Sequence, residues 1–317
     1  MAASASVADD LVQPFRVERA GLRGRFVRLG PLLTEVLNRH DYPEPVAELL
    51  GEVMALTALL GSALKFDGVF TLQTSGKGPV AILVADMTSD GALRGYAQFD
   101  PGRVAEVGEG DSGPVPSLLG PGHLAFTVDQ GSVNDRYQGI VELTGATLAD
   151  CIHHYFRQSE QIDAALKVAV ARDEAAEGGT RWHAGAIMVQ RLPAEAASAG
   201  PAAEDEDDWR EAVALMGSAT PEELTDPCLP PDRLLYRLFH EPGVRAYAPQ
   251  GLSPGCRCSR RRVARTLAAF PRAEVMALME EGVVSVRCEF CGESYVFDEA
   301  ALRALFEDSG APGRPRP

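Results

Sequence analysis

"VFTLQTSGKGPVAILVADMTSDGALRGYAQF", residues 69–99, decides the architecture of most of this chain. Three runs rich in β-branched, aliphatic and aromatic residues, 69–74, 79–87 and 92–99, are separated by "SGKG" and "TSDG", glycine-bearing connectors of hairpin length. The rhythm is not that of βαβ units, so the expected sheet is antiparallel. Outward from it, 123–130 and 136–145 extend the meander, and 22–30, 166–171 and 184–192 read as further strands. Helices separate these groups. The stretch 30–40 is a short helix stopped by "DYPEP"; 45–66 carries Val46, Leu49, Leu50, Val53, Leu56, Leu60 and Leu64 on one face; and 147–161 starts at the cap residue Thr147. An antiparallel sheet with segregated helices is an α+β domain, expected over 1–192.

Composition shifts after Leu192. "PAEAASAGPAAEDEDDW" (193–209) is rich in Ala, Pro and acid, as a solvated linker would be. Amphipathic pieces resume at 209–218, 220–226 and 230–241, giving an acidic then helical linker over 193–233. A small second domain is expected over 234–300, with a tail over 301–317. With 45% hydrophobic and 24% charged residues in 317, the chain has ordinary globular proportions. No stretch approaches the ~20 continuous apolar residues of a membrane span, and the start lacks the basic and apolar regions of a secretion signal. A cytoplasmic protein without membrane partners is the expectation. A net charge of −15 argues against a general nucleic-acid binder.

Four of the six cysteines cluster: Cys256 and Cys258 in "GCRCSRRR", Cys288 and Cys291 in "RCEFCGES". Two close pairs of thiolates are the ligand set of a tetrahedral zinc ion. The chain between them suits the purpose. Ser259 can cap a helix carrying Val263, Leu267 and Phe270; Pro271 can start another, with Val275, Leu278 and Met279, ended by Gly282. Gly292 fits a knuckle that needs positive φ. Roughly 60 residues with few large apolar side chains can hardly fold alone, and metal would supply the deficit. The plain reading of such a site is structural. A redox reading stands beside it, because the surrounding arginines favour thiolates, and each pair lies close enough in sequence to close on itself. Structural zinc is worth about 10–16 kcal/mol of apparent folding free energy. A disulfide closing so small a loop gains only about 2 kcal/mol, so oxidation should unfold this lobe rather than lock it.

Cys151 and Cys228 lie singly; Cys151 sits in a helical pattern and reads as a small core residue. His153 and His154 lie in the same helix and read as packing or surface groups, as do His40 and His240 in their turns. No phosphate-binding GxxxxGK[ST] loop is present, and no Ser/His/Asp set can be assembled.

The C-x-C, 29 residues, C-x-x-C pattern resembles the 33 kDa chaperonin family, the redox-regulated holdases of bacteria. So do "NRHDYPEPV" (38–46), "LLGSALKFDG" (59–68), "DRYQGIVELTG" with "YFRQSEQ" (135–161), "LLYRLFHE" (234–241) and "CRCSRRR" (256–262), in the family's order over about residues 15–300. The resemblance implies that Cys256, Cys258, Cys288 and Cys291 hold one zinc in a reduced, inactive form. It implies that oxidant expels the zinc and forms disulfides Cys256–Cys258 and Cys288–Cys291. The zinc lobe and linker then lose structure, and the exposed surface binds unfolding client proteins without ATP in a homodimer that is not an enzyme. The acidic insert at 193–208 and the tail after 306 are not expected from the family. Two rivals remain from other classes. One is a constitutive zinc-ribbon nucleic-acid-binding protein that uses the arginines on phosphate. The other is a thiol oxidoreductase using Cys288 and Cys291, which would need the pair to open a helix after a strand.

Overall fold

A computed structural model describes residues 9–108, 113–131, 136–157, 163–174, 179–191 and 206–309. The chain divides into two compact units, Met1–Gly255 and Cys256–Pro317. The first unit runs β1 (Leu11–Val17), β2 (Leu22–Leu29), α1 (Pro31–Leu37), α2 (Glu44–Gly61), β3 (Val69–Gly76), β4 (Val80–Thr88), β5 (Ala92–Phe99) and α3 (Pro101–Ala105). After a π-helical turn at Val115–Leu119 come β6 (Gly122–Asp129), β7 (Arg136–Glu142), α4 (Leu148–Tyr155), β8 (Ala164–Asp173) and β9 (Arg181–Gln190). It closes with α5 (Glu206–Gly217), α6 (Pro221–Thr225), α7 (Pro231–Phe239), β10 (Val244–Ala246), β11 (Gln250–Gly251) and β12 (Ser253–Pro254).

The expected α+β class holds. The hairpins β3–β4 and β4–β5 pair antiparallel as their connectors require, in a sheet ordered β12-β5-β4-β3-β6-β7. A second sheet runs β10-β1-β2-β9-β8, with β11 also on β1. Helix α2 packs against strands of both sheets and is buried on nearly every side. It therefore needs more than the single apolar face its spacing suggested, and it ends at Gly61, leaving Leu64 beyond it and 48% exposed. Strand β1 is absent from the sequence reading because Pro14 interrupts its pattern. The Pro14 carbonyl accepts from the Tyr247 N–H, and the Tyr247 carbonyl, left without a Pro14 N–H, accepts from the Gln13 side-chain amide instead. Helix α4 passes into a π-helical turn after Tyr155, and the rest of the expected helix, 158–161, lies outside the described residues, as does Leu192.

The second sheet is covered on both faces. One face joins the main core with α1 and α2. The other presents Phe15, Val17, Leu22, Phe26, Ile187 and Val189 to Ala212, Met216, Leu224, Leu234, Leu238 and Phe239 of α5, α6 and α7. The approach is close: a Cβ on Gly185 of β9 would stand 2.1 Å from the Leu224 carbonyl oxygen, so only glycine admits α6 at this depth. Acids Glu206, Asp207 and Asp208, expected in solvated linker, form the first turn of α5, where they favour the helix dipole.

The second unit contains α8 (Arg260–Ala268), α9 (Arg272–Ala277), β13 (Val283–Arg287), β14 (Ser294–Asp298) and α10 (Glu299–Ser309). Ser259 caps α8 by accepting from the Arg262 N–H, and Pro271 precedes α9, as the sequence led one to expect. Helix α10 was not read from the sequence. The buried core of this unit is small: Leu267, Val275, Val284, Phe297 and Leu302.

Candidate metal centre

Hairpin β13–β14 builds half of the site. Its register pairs Arg287 with Ser294 and Val286 with Tyr295, and the connection between them is the knuckle. There the Cys288 N–H donates to the Glu293 carbonyl, and the Gly292 N–H returns a bond to the Cys288 carbonyl, both at 2.8 Å. Gly292 takes φ +74°, the left-handed conformation the knuckle was expected to need. Cys256 and Cys258 supply the other half just before the α8 cap.

The four sulfurs of Cys256, Cys258, Cys288 and Cys291 all lie within 4.8 Å of one another. Four thiolates around one zinc at ~2.3 Å place their sulfurs ~3.8 Å apart in a tetrahedron. Cys256 and Cys288 stand at 3.7 Å, Cys258 and Cys291 at 3.3 Å, so the donor set fits the ion. All four are half-buried, partly shielded yet within reach of small solutes. Packed together as thiols they interfere strongly. Burial pushes Cys256 up, but hydrogen bonds from the Cys258 backbone and from the other three thiols overcome it and leave it at about 6. Burial pushes Cys291 up to about 12, reinforced by its bonds to the neighbouring thiols. A cluster in which one sulfur sheds its proton at the others' expense is chemically prepared for a cation.

Proximity does not sort the sulfurs into the sequence pairs. Close contacts run between the pairs, Cys256 to Cys288 and Cys258 to Cys291, as well as within the first, where Cys256 hydrogen-bonds Cys258. Tyr295 was missed by sequence reasoning: its hydroxyl donates to Cys258 Sγ at 3.1 Å, and only the hairpin register could have placed it there. The arginines are partly committed elsewhere. Arg260 donates to the Val296 carbonyl at 2.6 Å and lies 4.3 Å from the Phe297 ring centroid. Arg261 and Arg262 are exposed. The Cys288–Cys291 knuckle joins two strands rather than opening a helix, which removes the geometry a thioredoxin-like pair requires.

Cys151 is fully buried in α4, its thiol donating to the Thr144 carbonyl, and burial raises its pKa; Cys228 is exposed in the turn after α6. Neither is part of the four-sulfur cluster. His153 bonds the Leu166 backbone, and the His240 ring lies tilted against Tyr236 with centroids 5.4 Å apart. Replacing Cys151 or Cys228 by Ser should therefore leave the metal content and any response to peroxide unchanged, with a stability loss of about 1 kcal/mol confined to Cys151→Ser. Metal analysis and thermal melts of the two variants read this. A changed metal content in Cys228→Ser would overturn it.

Among the described residues no helix is long and apolar enough to cross a membrane. A family model described as Hsp33 protein matches residues 10–298. A 33 kDa chaperonin of Caulobacter vibrioides is 43% identical over 300 residues, covering 94% of this chain and 98% of its own. One from Pseudomonas putida is 38% identical over 303 residues, 95% of each chain. The crystal structure of a 33 kDa chaperonin of Thermotoga maritima superposes with a TM-score of 0.79 at 23% identity, over 95% of this chain and 99% of the other.

Proposed function

Because the chain belongs to the Hsp33 protein family, whose curated relatives carry the name chaperonin, we propose that it is a redox-regulated, ATP-independent holdase of the cytoplasm. The observation that carries this reading is four sulfurs at zinc-ligand spacing in a unit with, among its described residues, only five buried apolar side chains. Cys256, Cys258, Cys288 and Cys291 would hold one zinc per chain, and bound zinc supplies the folding free energy that so small a core lacks. Each peroxide would take two electrons from a pair of thiolates and, with two protons from solvent, leave one disulfide and two waters. Two such events would convert Cys256, Cys258, Cys288 and Cys291 to disulfides, leaving no thiolate to hold an ion. Two small-loop disulfides at about 2 kcal/mol each do not offset the loss.

The functional division follows the same reading: a core over 1–192, a linker over 193–233, a switch over 234–300. Undocking of the linker would expose apolar surface to unfolding clients, with a homodimer as the active form and no catalytic residue. The decisive experiment is suppression of aggregation of a heat-unfolded protein by reduced and by peroxide-treated samples. Activity only after peroxide supports the reading; equal activity in both, or in neither, overturns it. Peptide mapping of the active sample should recover Cys256–Cys258 and Cys288–Cys291. A dominant Cys258–Cys291 crosslink, between sulfurs 3.3 Å apart, would instead hold the lobe together and defeat the unfolding step.

A further inference from the structure

The C-terminal end of α2, strands β3, β6, β7 and β9 and the end of α4 line a cavity of about 310 Å³. That volume lies within the range of about 300–1,000 Å³ typical of small-molecule sites. Its walls are apolar, with Leu60, Phe70, Phe126, Val128 and Met188 among them, and no described residue of 206–309 lines it. One glycine shapes its aromatic end. Gly139 lies opposite Phe126 in the β6–β7 register, and a Cβ there would stand 2.6 Å from the Tyr155 hydroxyl oxygen. With no Cβ in the way, Tyr155 stacks on Phe126, centroids 4.4 Å apart, and brings its hydroxyl to 3.2 Å from that of the exposed Tyr137.

Charge around the cavity has one sign. Among the described lining residues Lys65 alone is charged, and it makes no ion pair with any described residue. Gln130 and Gln190 add amides to the lining. The negative end of the α2 dipole would oppose an anion here, but its carbonyls are occupied. Those of Ala58, Leu60 and Gly61 accept from the N–H groups of Ser62, Ala63 and Leu64. The Leu59 carbonyl takes the Ser62 hydroxyl, and the Ser62 carbonyl takes Arg25 Nε, both at 2.9 Å. Aromatic walls alone would equally suit an alkylammonium; a lysine with no acid among the described lining residues selects the opposite sign. We propose that this cavity binds one medium-chain amphipathic carboxylate per chain, with the alkyl tail against Phe70, Phe126 and Met188 and the carboxylate at Lys65. Every lining residue belongs to the first unit, so the inference stands apart from the redox reading.

The test titrates the reduced full-length protein with decanoate by calorimetry, below the concentration at which the ligand forms micelles. Decanoate should bind saturably, one per chain. Octanoate should bind about fifteenfold more weakly, since each buried methylene is worth about fourfold in affinity. Decyltrimethylammonium should bind more weakly than decanoate. Lys65→Met should weaken decanoate by about threefold to fivefold, leave decanol unchanged and narrow the gap to the ammonium, while Lys65→Arg keeps decanoate binding. Ala63→Leu, which fills part of the cavity, should weaken every ligand. Lys65 is exposed, so its variants remain decisive even if Ala63→Leu does not fold. Decyltrimethylammonium bound as tightly as decanoate overturns the proposal. So does decanoate uptake that never saturates, or that Lys65→Met leaves unchanged, because the ligand is then adsorbing on the surface at large.

Discussion

Cys288→Ser should purify with well under one zinc per chain and with residues 260–309 unfolded, while α2 stays folded. The size of the effect follows from the second unit's poverty. Leu267, Val275, Val284, Phe297 and Leu302 are its only buried apolar side chains among the described residues. A structural zinc is worth about 10–16 kcal/mol, more than such a core supplies by itself. Cys288 is also the residue whose N–H and carbonyl close the knuckle, so its ligand bond and the hairpin turn are one structure. Metal analysis reads the first outcome, and backbone amide spectra the second. Unchanged tight zinc binding would remove Cys288 from the ligand set. A folded unit without zinc would show that the small core suffices after all.

Phe239→Ala should release the linker without any oxidant. Phe239 is fully buried and stacks on Phe15 of β1 with ring centroids 5.6 Å apart, at the centre of the contact between α7 and the sheet. Truncating a buried phenylalanine costs about 3–5 kcal/mol. Helices α5, α6 and α7, at twelve, five and nine residues, are too short to hold their own shape in water, so their order depends on this packing. Hydrogen exchange across 206–239 should approach that of an unfolded chain in the reduced variant, while 44–61 remains protected. Aggregation suppression should then appear before peroxide. The milder Phe239→Leu should shift both readouts part of the way. A variant whose linker opens but which stays inactive until oxidised would show that docking is not what restrains activity.

Much of this architecture was legible because periodicity and connector length are local. Strands β3, β4 and β5 alternate and are joined by tight turns, so the meander follows from 69–99 alone. The ligands were legible for a similar reason: spacing carries the information. What failed to show has a physical cause in each case. Pro14 hides β1, and β10–β12 are two- or three-residue strands too short for any period. The apolar faces of α5–α7 announced burial but not against what, since hydrophobic contact is non-directional. Arg28 sits in "RFVRLG" as an apparently solvent-facing residue of an alternating strand, yet it is wholly covered because the second face of that sheet is also occupied. Tyr295 depended on hairpin register, which the sequence leaves open.

The strap from Val244 to Gly255 separates α7 from Cys256 along the chain. It is fastened at successive points: β10 and β11 to β1, β12 to β5, and the Gly255 N–H to the Leu93 carbonyl at 3.0 Å. A disturbance that starts at the cysteines and travels along the backbone meets these fastenings in series, β12 first and α7 last. Peeling from one end breaks a few bonds at a time, so no single step is steep, but none can be skipped. On the proposed redox reading, signal timing would be divided between two clocks. One would be set by sulfur chemistry, the other by how quickly a dozen residues unzip from two sheet edges, and a change in the strap would reset the second without touching the first.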